Sequence, residues 1–161
     1  MEQMTGGDVR VRAATASDLE FVLGLVPDLL SFGPPPPWRD AEHMGTVDLA
    51  VMEDAVRGRT PGSLIMIAEA GEGERLGFIH LSEEEDYYAG ACGHVGDIVV
   101  AASARGRGVG RTLLRAAEQW ARGEGYSLIT LNVFLGNEKA ARVYESVGYN
   151  AETTRYVKKL D

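Results

Sequence analysis

A single domain of mixed α and β structure around one sheet is predicted by three observations. The length of 161 residues suits one domain, and 45% hydrophobic with 25% charged residues is the balance of a globular chain. Short apolar runs bordered by turn residues read as strands, and they alternate with 3.6-residue apolar stripes that read as helices. A strand, three glycines on alternate positions and a helix follow one another directly between Val95 and Trp120.

The elements follow in order. Val9 to Ala13 alternates as a short strand, and Ser17-Asp18 is expected to cap a helical stretch through Leu19, Val22, Leu23 and Val26 that ends or kinks at Pro27. Pro34 to Pro37 predicts a short, stiff, extended loop rather than a domain boundary. A second helix is expected from about Asp40 to Arg57, with Met44, Val47, Val51, Met52 and Val56 as its apolar stripe. Leu64 to Ala68 and Leu76 to Leu81 form a hairpin around the turn-rich Gly71-Glu72-Gly73-Glu74. Glu83 to Gly90 reads as an acidic loop carrying Tyr87 and Tyr88, and Val95 to Ala101 as the strand that leads to the glycines. Beyond them a helix with Val109, Leu113, Ala117 and Trp120 on one face precedes a buried strand at Leu128 to Phe134. A last helix from Asn137 to Val147 stops at Gly148, and Thr153 to Lys158 is expected as a closing strand.

Composition excludes several classes of function. The net charge of −8 disfavours duplex nucleic acid, which demands clustered cations. No apolar run approaches the roughly 20 residues that cross a bilayer, and Met1 to Arg12 is too polar for a secretory signal, so a cytoplasmic protein is expected. One cysteine, Cys92, rules out an internal disulfide framework and paired-thiolate metal spacing. His43, His80 and His94 lack helical ligand spacing, so no metal is expected. The charge is uneven: Ile98 to Ala117 contains Arg105, Arg107, Arg111 and Arg115 but no acid, carrying +4 against −12 elsewhere. An anion belongs at that place.

Gly106, Gly108 and Gly110 keep the backbone free of Cβ atoms where a phosphate would meet successive N–H groups at a helix start. Hydrogen bonds there, at about 1.5–3 kcal/mol each for a charged acceptor, outweigh the dipole's 0.3–1 kcal/mol. Two other phosphate loops fail to fit. A Walker loop needs Lys and then Ser or Thr after its last glycine, but Arg111 follows Gly110, and a GxGxxG motif started at Gly106 has Arg111 in its sixth position.

Arg105-Gly106-Arg107-Gly108-Val109-Gly110 resembles the (Q/R)xxGxG/A loop of the GNAT superfamily of N-acetyltransferases. The strand Asp97-Ile98-Val99-Val100 stands the family distance before it, with Ala102 replacing the usual proline. Leu131, Val133, Asn137, Ala140, Tyr144, Gly148 and Tyr149 reproduce the family's second motif, LxVxxxNxxAxxxYxxxGY. The motifs lie within residues 94–149 of a domain expected to span 1–161. The resemblance implies a mostly antiparallel sheet flanked by helices, with acetyl-CoA at a splayed strand pair. It implies that N–H groups from Gly106 to Arg111 hold the pyrophosphate, that Ile98, Val99 and Val100 pair with the pantetheine amides, and that Asn137 and Ala140 line the arm. Asn137 also reads as a plain helix cap, and Arg105 and Arg107 as solvated charge.

Acetyl transfer needs a neutral amine, and removing the proton of an alkylammonium costs about 4.6 kcal/mol at pH 7, so a base is useful. The resemblance implies that Tyr144 protonates the departing thiolate. Family members place a glutamate base at positions corresponding to His94 or Gly96, and neither is glutamate here. Strand alternation puts His94, Gly96, Ile98 and Val100 on one face and Asp97 on the other, which makes His94 the first candidate. A β-bulge would reverse that parity, which keeps Asp97 as the second candidate, and a base acting through water or from the substrate-side loops stays open beside them. Cys92 as an acyl-carrying nucleophile ranks low, because direct attack needs no acyl-enzyme.

Glu83, Glu84, Glu85 and Asp86 suggest a small cationic amine as acceptor, while a solvated acidic hairpin is the bland reading. Acetylation of a protein N-terminus or lysine, or a non-catalytic acyl-CoA sensor, are the alternatives. An edge strand in such a sheet would suit a homodimer.

Overall fold

The computed structural model describes residues 8–31 and 33–161. The first seven residues, part of the segment read as too polar for a signal, lie outside this description. One five-stranded sheet in the order β1-β2-β3-β4-β5 organises the chain. Its strands are β1 (Val9–Ala13), β2 (Ser63–Ala70), β3 (Glu74–Asp86), β4 (Gly90–Val100) and β5 (Ile129–Leu131). The first four pair antiparallel, while β4 and β5 run parallel. The helices are α1 (Leu19–Leu25), α2 (Ala41–Val56), α3 (Val109–Gly123) and α4 (Glu138–Ser146). No described helix is long and apolar enough to cross a membrane.

The pleat divides the core in two. One face of the sheet packs Ile65, Ile67, Phe78 and Val99 against Val22 and Val26 and against Met52 and Ala55 of α2. The other packs Ala68, Leu76, Ile79, Leu81 and Val95 against Val109, Leu113, Leu114 and Ala117 of α3. In α2 the expected stripe is corrected. Met52 is buried, but Val47 and Val51 are exposed at 45% and 41%, because they line an open cleft between the helix and the sheet.

A buried charge cluster fastens β1 to the first helical segment. Asp18 does not cap α1; its fully buried carboxylate accepts from Arg12, from Arg75 and from the Thr15 backbone N–H at 2.7 Å. The residue expected to start a helix instead closes a capping box with Thr15 and ties β1, β3 and the helix together.

Three further expectations are corrected. The acidic stretch Glu83 to Asp86 belongs to β3 and pairs with Gly90 to Gly93 of β4, so the loop shrinks to residues 87–89. The strand expected at Leu128 to Phe134 is only Ile129–Leu131 and half-buried, with Leu128 and Phe134 exposed. Residues 151–161 are exposed without regular structure, so the strand expected at Thr153 to Lys158 is absent. Its two apolar residues, Tyr156 and Val157, are adjacent rather than alternate, and no single face could be buried.

Candidate active site

The site begins at a register shift. His80 pairs with Asp97 and Leu81 pairs with Val95, so Gly96 is an extra residue, a β-bulge in β4. Ile98, Val100 and Val95 consequently pack toward α3, while Val99 packs toward α2. This corrects the face assignment from simple alternation: the bulge removes His94 from the face of Ile98 and Val100. His94 pairs with Ser82, two residues along β3 from His80, and so shares Asp97's side of the sheet.

The same place is a fork. The β4–β5 ladder contains only Gly93–Ile129, His94–Thr130 and Val95–Leu131. From Gly96 to Val100 that edge of β4 has no strand partner among the described residues, and Gly96 is exposed. Asp97, its side chain 26% exposed, stands at the mouth of the fork. Tyr144 of α4 is half-buried close enough for the Asp97 charge to act on it; burial first, and that charge second, push its hydroxyl above the usual phenol range. Tyr144 therefore remains a proton donor at neutral pH.

His94 is differently placed. It is 8% exposed, its Nδ1 lies 2.8 Å from Thr130 Oγ1 and 3.6 Å from a Glu84 carboxylate oxygen, and burial lowers its pKa against the pull of Glu84. Its ring is held inside the paired part of the strands rather than at the fork. Cys92 is buried and free, with burial raising its pKa, which leaves it a protonated thiol.

The glycine loop follows β4 after one 3-10 turn. Gly106 and Gly108 have φ of +74° and +79°, and a Cβ on either would meet nothing within 4 Å. The loop is therefore left-handed and open, the condition a phosphate needs to reach the backbone N–H groups at the start of α3. Val109 is buried beneath it, which aims that helix end. Of the cations, Arg105 donates to Val100 O and to Asp28, both at 3.2 Å, Arg111 reaches Ser146 Oγ at 3.3 Å, and Arg107 is exposed. Asn137 caps α4, its Oδ1 accepting from Ala140 N at 3.3 Å, and Ala140 is half-buried beside that cap.

Two side chains at the site are not predicted from the sequence. The spacing of His80 gives it no metal-ligand role, yet its Nε2 lies 2.7 Å from Ser63 Oγ and its Nδ1 3.6 Å from Asp97. Asp48 of α2 has its pKa raised by burial and then by the charge of Asp97, which places a second carboxylate near the fork. Neither carries a local signal, since both are single polar residues inside ordinary strand or helix patterns. Three of the four acids of the β3–β4 hairpin have neighbours of their own: Glu83 accepts from the Tyr126 hydroxyl, Glu84 faces His94, and Asp86 accepts from Tyr88 N and Ala89 N.

A family model described as the acetyltransferase (GNAT) family matches residues 30–149. The aminoglycoside N(6')-acetyltransferase type 1 of Klebsiella aerogenes is 36% identical over 88 residues, covering 53% of this chain and 58% of that relative, somewhat over half its length. A solved chain from Pyrococcus furiosus, provisionally named an acetyl transferase, superposes with a TM-score of 0.76 at 25% identity, covering 95% of this chain and 100% of that one. An aminoglycoside N-acetyltransferase, AAC(6')-Iy, solved with the bisubstrate analogue CoA-S-monomethyl-acetylneamine, superposes at 0.72 and 22% identity, covering 96% and 99%; this likeness is one of fold.

Proposed function

The chain belongs to the acetyltransferase (GNAT) family, and on that premise we propose that it transfers the acetyl group of acetyl-CoA directly to a primary amine of a small cationic molecule. The observation that carries this reading is the fork: β4 leaves β5 beyond Val95–Leu131, immediately before an open left-handed glycine loop, with Asp97 and Tyr144 beside the gap. The residues present fit acetyl-CoA. Backbone N–H groups from Gly106 to Arg111 would take the pyrophosphate, the unpaired edge of Ile98 to Val100 would pair with the pantetheine amides, and Asn137 and Ala140 would flank the arm.

In this reading Asp97 receives a proton from the acceptor ammonium, directly or through one water. The freed nitrogen lone pair attacks the thioester carbonyl, the C–S bond breaks, and the Tyr144 hydroxyl gives its proton to the departing thiolate. Asp97 is preferred to His94 because it stands at the fork, whereas His94 is buried and engaged by Thr130. The amine class is supported by Asp48 and Asp97, two carboxylates whose mutual repulsion a cation between them would relieve. The acetyltransferases solved or named with aminoglycosides agree with an acceptor of that charge.

CoA release from acetyl-CoA against polyamines, aminoglycosides, amino acids and a peptide with a free N-terminus tests the reading. Turnover with the small cations supports it; acetyl-CoA binding without CoA release above background makes the protein a sensor instead. We retain a homodimer in the proposal, since β5 has no second strand partner among the described residues. The free, buried Cys92 suits a reducing cytoplasmic setting. Sedimentation equilibrium checks the first and fractionation of cells the second.

A further inference from the structure

His80 is the least explained polar residue of the sheet. It is 7% exposed on β3, and its Nδ1 is buried without a hydrogen-bond partner, although such atoms are rarely left so. Asp97 Oδ2 lies 3.6 Å from it, one short side-chain movement from a bond. On the other side of the ring Nε2 is already bonded to Ser63 Oγ at 2.7 Å. Ser63 and His80 line an open cleft of about 380 Å³ whose opposite wall is Val47, Val51 and Asp54 of α2. Gly96 completes the arrangement, because a Cβ there would lie 2.6 Å from Nδ1 and displace the ring.

We propose that Asp97, His80 and Ser63 form a proton relay, with His80 as the positioning residue behind the Asp97 carboxylate and Ser63 as its outlet to the cleft beside α2. The inference rests on the acetyl-transfer reading and on Asp97 as the group that meets the amine. An ordinary carboxylate is a poor base toward an alkylammonium, and an ordinary imidazole is about 2.6 units more basic. The relay moves that stronger base one step behind the weaker one. A proton taken from the amine by Asp97 Oδ2 passes to His80 Nδ1, the Nε2 proton passes to Ser63 Oγ, and the hydroxyl's own proton leaves to water in the cleft. The amine keeps its electron pair for the carbonyl; the hydroxyl is restored by rotation, and the ring, left with its proton on Nδ1, returns to the Nε2–H tautomer by giving up that proton and taking one from water through Ser63. The glutamate absent from β4 is thus replaced from the neighbouring strand, and Gly96 is the space that replacement needs.

The charged and titratable groups around His80 are Asp97 and His94 on β4, Asp48 and Asp54 on α2, and Glu83 and Glu84 on its own strand. The decisive experiment is the pH profile of kcat/KM for the wild type, His80→Gln, Ser63→Ala and Asp97→Asn with a turned-over amine. The relay predicts that His80→Gln lowers kcat 10- to 100-fold and moves the acidic limb down by at least one pH unit, toward the carboxylate range, with the KM for acetyl-CoA unchanged. Ser63→Ala, which keeps both partners of the first step, lowers kcat several-fold. A His80→Gln enzyme whose limb stays in place overturns the relay. Where that variant does not fold, nitrogen NMR of the His80 ring decides: the Nδ1 and Nε2 resonances move in Asp97→Asn and in Ser63→Ala if the three side chains are coupled, and unchanged resonances overturn the proposal. Failure of the base assignment looks different, because Asp97→Asn would then turn over like wild type.

Discussion

Gly96 and His80 compete for one volume: a Cβ on Gly96 would stand 2.6 Å from His80 Nδ1 and 3.2 Å from Cε1. The backbone at Gly96 is not in the left-handed region, so the need for glycine is one of space alone. Gly96→Ala is expected to destabilise the fold by about 1–3 kcal/mol, the usual cost of overpacking, read as a lower midpoint in urea. An unchanged midpoint with an unmoved His80 ring resonance would show that the ring has room to spare.

Asp18 is fully buried between Arg12 and Arg75. Its replacement by Ala removes the carboxylate that Arg12 and Arg75 share, leaving Arg12 with Glu69 and Arg75 with the Ser17 carbonyl, and a loss of about 3–5 kcal/mol is expected, measured by denaturant unfolding at pH 7. The pH dependence has a definite sign. The bond from Arg12 holds the Asp18 carboxyl well below the usual range, and Glu69, beside Arg12 and Arg10, is also lowered. A lowered folded-state pKa gives stability that is complete about one pH unit above the unfolded value of roughly 4 and is lost as pH falls from there toward the folded value. Unfolding free energy should therefore drop between pH 5 and pH 2, and less steeply in Asp18→Asn; parallel curves would exclude Asp18 as the source.

At Gly108 the φ of +79° strains any residue with a Cβ. Gly108→Ala should cost about 1–2 kcal/mol of stability and raise the acetyl-CoA Kd several-fold, measured by calorimetry. The space around the position is open, so the effect comes from the backbone and not from a clash. Equal stability and equal affinity would remove the loop from cofactor binding.

For Tyr144 the expected signature is kinetic. Tyr144→Phe keeps the ring that packs edge-on to Tyr149 and removes only the hydroxyl, so kcat should fall about 100-fold or more with little change in the KM for acetyl-CoA. Burial and the Asp97 charge raise the hydroxyl's pKa, so the hydroxyl stays protonated through neutral pH and is lost only above the usual phenol range. A wild-type basic limb that persists unchanged in Tyr144→Phe would assign it to another group.

Much of this architecture was legible in the chain. The apolar stripe that predicts α3 and the apolar runs that predict β2 and β3 survive because these elements bury those side chains in the core, and the punctuation at Asp40, Asn137 and Gly148 acts locally at the ends of α2 and α4. Misreadings fell where the answer depends on a partner strand. The Glu83 to Asp86 stretch becomes strand because Gly90 to Gly93 lies opposite it, and Thr153 to Lys158 does not because nothing pairs with it.

By itself the sequence determined the order of elements and the open glycine loop, because glycine's conformational freedom and apolar periodicity are properties of neighbouring residues along the chain. Tertiary structure alone decided which carboxylate stands at the fork. One extra residue at Gly96 turns His94 and Asp97 to a common side and brings His80 and Ser63 behind Asp97, and that placement comes from the register between strands, which no residue encodes alone.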